Sequence, residues 1–271
     1  MQLFLTIDIG NTNIVVALFN EDTLVSSWRL HTDVSRTGDE YGILISSFFT
    51  DGGFSVADIE SCIISSVVPN LIGPFVGLIV KKTGKKPFII SPGIFSQLPI
   101  TIPESATHEI GSDLVCNAVE AYCRYKGACI VVDFGTALTF TAVSSDGSVL
   151  GIAITPGIGT ARDSLFKNTA QLPSIPLKAP PSVLGKNTIH SIQAGIVLGY
   201  KCLVEGLVQQ IKEDMGKETG IPPEDIKVVA TGGLNSVLEP ISTVFQEIDK
   251  TLTLRGLHRI GKILRDKGTA K

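Results

Sequence analysis

The sequence lacks the signals of several large protein classes. Its five cysteines are scattered without a Cys-x-x-Cys pair, which disfavours both a disulfide framework and a zinc site. The net charge is −3, so nothing indicates the basic surface that binds nucleic acid. A Walker P-loop is excluded because no Gly-x4-Gly-Lys-Ser/Thr sequence occurs. We therefore expect neither a zinc site nor a nucleic-acid partner.

Signals for export and membrane insertion are missing as well. The first residues form an apolar strand rather than the charged, apolar and cleavage segments of a signal peptide. One uncharged stretch, residues 61–80, is long enough to span a bilayer, but Pro69, Gly73, Pro74 and Gly77 interrupt it. We expect this stretch to form a buried strand, a loop and a short helix. We also expect a cytoplasmic protein without a membrane partner.

Length and composition favour two folded domains. The 271 residues exceed the ~100–150 residues of the most common single domains. Hydrophobic residues make up 44% of the chain and charged residues 18%, which is enough apolar material for two cores. We expect one domain at residues 1–115 and a second at residues 116–271.

Two segments of the chain follow the same order of elements. In the first, an apolar run ends at Asp8, and Gly10 follows in a polar turn between strands. In the second, an apolar run ends at Asp133, and Gly135 follows in the same way. The two acids are 125 residues apart, as are the two glycines. We infer an internal duplication that produces two similar domains, with a cleft between them as the natural ligand site.

The two acid–glycine turns have a composition suited to phosphate binding. A glycine lets backbone N–H groups approach phosphate oxygens, and a carboxylate at a strand end can orient a hydrated magnesium ion. The alternative is a pair of ordinary hairpins, in which Asn and Gly satisfy only the turn geometry. Recurrence of the turn in both halves of the chain favours phosphate binding.

Two further candidates rest on weaker patterns. Gly232 and Gly233 follow an apolar strand, where missing side chains let an adenine or ribose lie against the backbone, although an ordinary turn is the alternative. Asp113 follows Gly111 and Ser112 at the start of a predicted helix. Its carboxylate can act as general base toward an alcohol during phosphoryl transfer. An acid in the first helical turn is also favoured by the helix dipole alone.

Six motifs together resemble the type III pantothenate kinases, nearly end to end and in the family's order. These motifs begin at Asp8, Gly111, Asp133, Thr155, Gly185 and Thr231. The resemblance implies an α/β fold of two duplicated ribonuclease H-like domains of the actin-like ATPase class, with mixed sheets flanked by helices. It also implies ATP-dependent phosphorylation of pantothenate to 4′-phosphopantothenate in coenzyme A synthesis.

The resemblance further implies roles for individual residues. Asp113 would be the base that activates the pantothenate hydroxyl, Asp8 would serve the magnesium ion, and Asp133 would ligate a monovalent cation, K⁺ or NH₄⁺. ATP would be bound by Asp8, Ile9, Gly10, Asn11, Thr12, Asn13, Ile14, Val15, Thr136, Gly232 and Gly233. Pantothenate would be held by Gly111, Ser112, Asp113, Leu114 and Thr188. The family pattern also implies a homodimer whose pantothenate sites draw on both subunits.

One departure from the family pattern lies in the substrate motif. The family normally has Arg after Gly-x-Asp, where this chain has Leu114, so charge-assisted hydrogen bonds worth about 1.5–3 kcal/mol each are lost. Residues 103–109 also lack the Tyr that is common there, and Arg162 is a hypothetical replacement for the missing charge. Two alternatives therefore stay open, a kinase for another small alcohol or acid and a regulator that binds nucleotide without turnover. Retention of the candidate acids argues against the regulator.

Overall fold

The chain divides into two compact units, each built around one five-stranded sheet. The computed structural model describes residues 2–169 and 171–268. Of these, residues 2–120 and 252–268 belong to unit 1, and the described part of 121–251 belongs to unit 2. The chain therefore leaves unit 1 once and returns to it with its last helix.

The sheet of unit 1 is mixed. Its strands are β1 (Leu3–Ile9), β2 (Asn13–Asn20), β3 (Thr23–His31), β4 (Ile59–Ser66) and β5 (Phe88–Ile89), in the order β3-β2-β1-β4-β5. β2 pairs antiparallel with both β1 and β3, whereas β4 pairs parallel with both β1 and β5. Asp8 thus lies near the end of a central strand, between Val15 on one side and Ser65 on the other.

Local sequence signals explain where the helices of unit 1 begin and end. These helices are α1 (Gly38–Asp51), α2 (Pro69–Thr83) and the start of α3 (Ser112–Tyr125). Thr37 and Glu40 form a capping box before α1, in which each side chain accepts a hydrogen bond from the other residue's backbone N–H. α2 begins at Pro69 and stops before Gly84, whose φ is 71°. The uncharged stretch 61–80 therefore forms a strand and a helix, as predicted.

The sheet of unit 2 repeats the topology of unit 1. Its strands are β6 (Cys129–Phe134), β7 (Ala137–Val143), β8 (Val149–Pro156), β9 (Lys227–Gly232) and β10 (Glu247–Ile248), in the order β10-β9-β6-β7-β8. β7 pairs antiparallel with β6 and β8, and β9 pairs parallel with β6 and β10. The equivalence of β1 with β6, of β2 with β7, and onward confirms the duplication inferred from the sequence.

Three helices follow β8 in unit 2. They are α4 (Ile158–Lys167), α5 (Thr188–Gln193) and α6 (Gly199–Thr219), and a π-helical turn, Ala194–Leu198, joins the last two. Within the described chain, Thr188–Thr219 is the one helical stretch long and apolar enough to cross a membrane by composition. Its Val197, Val204 and Val208 are buried in the core of unit 2, and core helices of soluble proteins pass the same test. The expected absence of a membrane partner stays a prediction.

The last helix, α7 (Leu252–Asp266), packs on β1 and β4 of unit 1. Its buried Leu257, Ile260 and Leu264 recur at helical spacing and form one apolar face. A side chain at Gly261 would overlap the ring of Phe4, so the missing side chain lets the helix approach the sheet. The predicted domain 116–271 contains this helix, and the predicted boundary after residue 115 falls inside α3.

Candidate active site

The turn between β1 and β2, residues 10–13, is called turn 1. Its Gly10 N–H donates to the carbonyl oxygen of Asn13 at 3.0 Å. Thr32, the residue after β3, holds the turn from the side: its N–H donates to the carbonyl of Thr12 at 3.0 Å and its hydroxyl donates to the carbonyl of Gly10 at 2.7 Å. Turn 1 is therefore fixed before any ligand binds.

The predicted ATP segment 8–15 divides into exposed and buried residues. Asn11 and Thr12 at the tip of turn 1 are exposed, whereas Ile9 and Ile14 are fully buried in the core of unit 1. Asp8, Gly10, Asn13 and Val15 are half-buried. The two isoleucines can therefore contribute to a ligand site only through their backbone, while the tip of the turn can present polar groups.

The equivalent turn of unit 2, residues 135–137, is called turn 2. Gly135 N–H donates to the carbonyl of Ala137 at 3.0 Å. The exposed Thr136 offers its carbonyl to the N–H of Gly157 at 2.9 Å and to the hydroxyl of Thr160 at 2.7 Å. A side chain at Gly157 would overlap the carbonyl of Gly135. The N-terminal end of α4, which favours anions, therefore lies directly against turn 2.

Asp133 stands near the end of β6 and is closely approached by the end of β9. Gly232 has φ 91°, and a side chain there would lie 2.6 Å from a carboxylate oxygen of Asp133 and 2.6 Å from the carbonyl oxygen of Phe134. Only glycine meets both conditions without strain. The structure thus brings Asp133 and Gly232 together, and the neighbouring Gly233 is exposed.

Asp113 occupies the first turn of α3. Its carboxylate accepts a hydrogen bond from the N–H of Leu114 at 2.9 Å, and a side chain at Gly111 would lie only 2.5 Å from the same carboxylate oxygen. Burial raises the pKa of the Asp113 carboxyl, and the backbone N–H groups of Leu114 and Asp113 offset part of this effect. A carboxylate with raised proton affinity at a helix start is suited to accept a proton from an alcohol.

A buried polar network lies beside Asp113 in unit 1. The hydroxyls of Ser65 and Ser112 are hydrogen-bonded at 2.9 Å. Burial raises the pKa of the Cys116 thiol, and the carboxylates of Asp8 and Asp113 raise it further. The two acids predicted from separate motifs therefore act on one thiol in the same unit.

Three residues predicted for substrate binding have different surroundings. Leu114 is 7% exposed and Ser112 is also 7% exposed, so both side chains point into the protein. Thr188 begins α5 in unit 2 and lines a cavity of ≈ 620 Å³ together with Gly185 and Leu172. Arg162, considered as a replacement for the missing arginine, pairs with Asp163 at 2.7 Å in unit 2.

The acids available fit a divalent ion that is held mainly by phosphates and water. In residues 2–169 and 171–268, no group of three or more His, Cys, Asp or Glu side chains could hold a metal ion. Mg²⁺ in kinases is commonly bound through one or two carboxylates together with substrate phosphates. A single carboxylate such as Asp8 matches this mode.

Sequence reasoning missed three residues that shape the site: Thr32, Ser65 and Thr160. Thr32 lies 125 residues before Gly157 of the motif that begins at Thr155, the same spacing as the acid and glycine pairs, so extending the duplication along the chain could have found it. Ser65 carries no comparable signal, because its partner Ser112 is distant in sequence.

The comparisons with known proteins agree with the motifs. The family model for type III pantothenate kinase matches residues 4–210. The type III pantothenate kinase of Syntrophobacter fumaroxidans is 45% identical over 95% of this chain and 97% of its own. That of Exiguobacterium sibiricum is 40% identical over 95% of this chain and 98% of its own. None of these findings favours another substrate or a regulator without turnover.

Solved structures confirm the predicted fold class. MreB 5 of Spiroplasma citri bound to AMPPNP has a TM-score of 0.54 at 10% identity, over 99% of this chain and 98% of its own. The activator of 2-hydroxyisocaproyl-CoA dehydratase from Clostridium difficile, with bound ADPNP, has a TM-score of 0.50 at 14% identity, over 100% and 98% of the two chains. At such identities the likeness concerns the fold alone. Family membership follows from the sequence matches instead: because they run along nearly the whole chain, the chain belongs to the type III pantothenate kinases.

Proposed function

We propose that Asp113 is the general base of this pantothenate kinase. The enzyme transfers the γ-phosphoryl group of ATP to pantothenate, which yields 4′-phosphopantothenate and ADP in coenzyme A biosynthesis. As the hydroxyl oxygen of pantothenate bonds to phosphorus and the bond to ADP breaks, the hydroxyl proton passes to the Asp113 carboxylate. The observation that carries this role is the recessed Asp113 carboxyl, whose burial raises its pKa toward the range useful for a base.

The ATP phosphates are assigned to the glycine turns. Turn 1 offers the exposed backbone of Asn11 and Thr12, and turn 2 offers Thr136 beside the start of α4. As a kinase, the enzyme uses ATP with a divalent metal ion, and we assign Mg²⁺ to Asp8 through phosphate and water. The bound ion supplies charge neutralisation for the phosphates, while the preformed turn orients them.

Asp133 is proposed as the ligand of a monovalent cation, K⁺ or NH₄⁺, and Gly232 with Gly233 as part of the nucleotide contact. Gly232 closely approaches the Asp133 carboxylate, so the two assignments concern neighbouring groups. Ile9, Gly10, Asn13, Ile14 and Val15 complete the proposed ATP segment, the buried isoleucines through backbone only.

Pantothenate is assigned to Gly111, Ser112, Asp113, Leu114 and Thr188. The buried Leu114 offers no charge, so the acid group of pantothenate needs a different partner from the one the family motif provides. Thr188 contributes from the cavity of ≈ 620 Å³ in unit 2, which has the size of a small-molecule site.

A homodimer in the cytoplasm is part of the proposal. Val183, Leu184 and Ile189 flank Thr188 and are 70%, 81% and 48% exposed. These exposed apolar side chains are close in sequence and available to a protein interface, and a second copy covering them would bring its own residues next to Thr188. Light scattering after size-exclusion chromatography of wild type and Leu184→Asp tests this: a dimer that dissociates in the variant is expected, and a monomeric wild type contradicts it.

The function is tested by measuring ATP-dependent phosphorylation of pantothenate with Mg²⁺ and with K⁺, NH₄⁺ or Na⁺. Asp113→Asn is expected to lower kcat by about 10²–10⁴-fold, because the proton acceptor is lost. Asp146→Asn, an exposed acid in the β7–β8 turn, is the control and should leave kcat within about twofold of wild type, since surface changes away from the site have small effects. Full activity in Asp113→Asn would remove Asp113 as the base.

A further inference from the structure

Two buried hydroxyls join the end of β4 to the start of α3. Ser65 is 0% exposed and Ser112 is 7% exposed, and their oxygens are 2.9 Å apart. A buried hydroxyl needs a hydrogen-bond partner, and here each serine supplies one to the other. The pair lies 47 residues apart in sequence and therefore fixes tertiary structure rather than a local turn.

Both ends of this pair lie next to a candidate acid. Ser65 is the register partner of Asp8 in the parallel pairing of β1 with β4. Ser112 immediately precedes Asp113 in α3. The hydrogen bond between the two serines therefore links the strand beside Asp8 to the residue directly before Asp113.

The same stretch of α3 is packed in the protein interior. Cys116 lies one turn after Ser112 in α3 and is 0% exposed, as is Val115. The first turn of α3 therefore cannot slide along β4 without lengthening the Ser65–Ser112 hydrogen bond.

We propose that Ser65 is a positioning residue for phosphoryl transfer, which acts through Ser112 to hold the Asp113 carboxylate in place relative to Asp8. The inference rests on the proposed role of Asp113 as base. Ser65 itself touches no reacting atom. Its contribution comes from geometry, because displacement of a reacting group by about 1 Å can cost on the order of 10²-fold in rate.

The chain offers a matched control at the next residue. The Ser66 hydroxyl donates to the carbonyl of Val68 and accepts from the N–H of Val68, both at 3.0 Å. Ser66→Ala therefore removes a hydroxyl from the same strand without touching α3. A general weakening of β4 would affect Ser65→Ala and Ser66→Ala alike, whereas loss of the link to α3 affects only the first.

The experiment compares Ser65→Ala, Ser112→Ala, the double variant and Ser66→Ala by kcat, KM for ATP, KM for pantothenate and melting temperature. We expect kcat to fall about tenfold in each of the first two, with KM for ATP within about twofold. The double variant should match the single variants within about twofold, because either change already breaks the link. Ser65→Thr, which keeps the hydroxyl, should recover most of kcat.

Each contrary result has a defined meaning. A kcat loss in Ser66→Ala equal to that in Ser65→Ala, or multiplicative losses in the double variant, would overturn the positioning role. If Ser112→Ala leaves kcat unchanged and raises only KM for pantothenate, the Ser112 hydroxyl serves substrate binding alone and the inference fails. If Ser65→Ala does not fold, Ser112→Ala decides alone. Unchanged activity in Asp113→Asn would instead show that Asp113 is not the base. This result distinguishes failure of the proposed function from failure of the positioning role of Ser65.

Discussion

Turn 1 and turn 2 occupy equivalent positions but are supported by different parts of the chain. In unit 1, the Thr32 hydroxyl donates to the carbonyl of Gly10, and in unit 2 the Thr160 hydroxyl donates to the carbonyl of Thr136, both at 2.7 Å. Thr32 directly follows its strand and α1 begins only at Gly38, whereas Thr160 already belongs to α4. In both units a hydroxyl therefore holds a carbonyl of the turn, but the two hydroxyls come from different positions in the repeated unit.

The strand next to each acid carries different residues in the two units. Asp8 is flanked by Ser65, and the following position on β4 is Ser66. Asp133 is flanked by Thr231, and the following position on β9 is Gly232. Unit 1 thus uses its hydroxyl to hold the helix that carries the proposed base, while unit 2 uses a glycine to let the backbone approach its acid.

The largest expected difference between the units comes from the two acids. Asp8→Asn should lower kcat by about 10²–10³-fold, because the carboxylate proposed to hold the hydrated Mg²⁺ ion that neutralises the phosphates is lost. Asp133→Asn should lower activity less and abolish its dependence on K⁺ or NH₄⁺. Steady-state kinetics over Mg²⁺ and K⁺ concentrations separate the two variants. Equal losses with the K⁺ response retained in Asp133→Asn would contradict the assignment.

Acid should destabilise unit 1 through its last helix. His258 of α7 is 4% exposed and stacks on Phe19 at 4.2 Å, and burial lowers its pKa from 6.5 to about 4. Between those pH values the unfolded chain binds a proton that the folded chain does not, so stability falls as pH decreases, by up to about 3 kcal/mol. Chemical unfolding at pH 7 and pH 4.5 should show a smaller decrease for His258→Leu than for wild type.

His108→Gln, which alters an exposed histidine, is the control for this measurement. It should retain the full pH dependence of wild type. A wild-type protein whose free energy of unfolding does not change between pH 6.5 and 4.5 would show that His258 is protonated in the folded state.

The closeness of Gly232 to Asp133 predicts a sharp contrast with the equivalent position of unit 1. Gly232→Ala should reduce the free energy of unfolding by about 2 kcal/mol, because alanine at this position would have an unfavourable backbone φ and its side chain would crowd the Asp133 carboxylate. Ser66→Ala removes one hydroxyl and should cost about 1 kcal/mol. Urea unfolding curves compare the two. The reverse order of stability would mean that β9 can move away from Asp133.

The smallest effects concern the threonines that support the turns. Thr32→Val and Thr160→Val should each cost about 1 kcal/mol of stability and raise KM for ATP, since each turn loses one anchor. Thr50→Val, which removes a hydroxyl bonded within α1, is the control and should leave KM for ATP unchanged. A raised KM for ATP in only one of the two threonine variants would show that only that turn contributes to ATP binding.

Much of the fold could be predicted because apolar runs and turn residues are local signals. The apolar runs predicted to end at Asp8 and Asp133 correspond to β1 and β6. The helices α1 and α7 were not predicted. The capping box of Thr37 and Glu40 is a local signal for α1, whereas the position of α7 on β1 and β4 depends on contacts with residues far away in sequence.

The candidate site was also only partly predictable from the sequence. Motifs identified Asp8, Asp113 and Asp133, because acids beside glycines at strand and helix ends form a short-range pattern. The patterns could not indicate that Ser112 is buried, since exposure of a polar residue in the first turn of a helix depends on which neighbouring element covers it. The roles assigned to these residues stay proposals that the variants above can test.

The sequence by itself determined the strands around the two acids, the duplication and the family, because spacing, apolar runs and turn residues are properties of short segments. Only the tertiary structure decided which groups meet: Ser65 with Ser112, Thr32 with turn 1, and Gly232 with Asp133. Each of these contacts joins residues that are far apart in the chain. Their distances depend on strand register and helix packing, which no local pattern encodes.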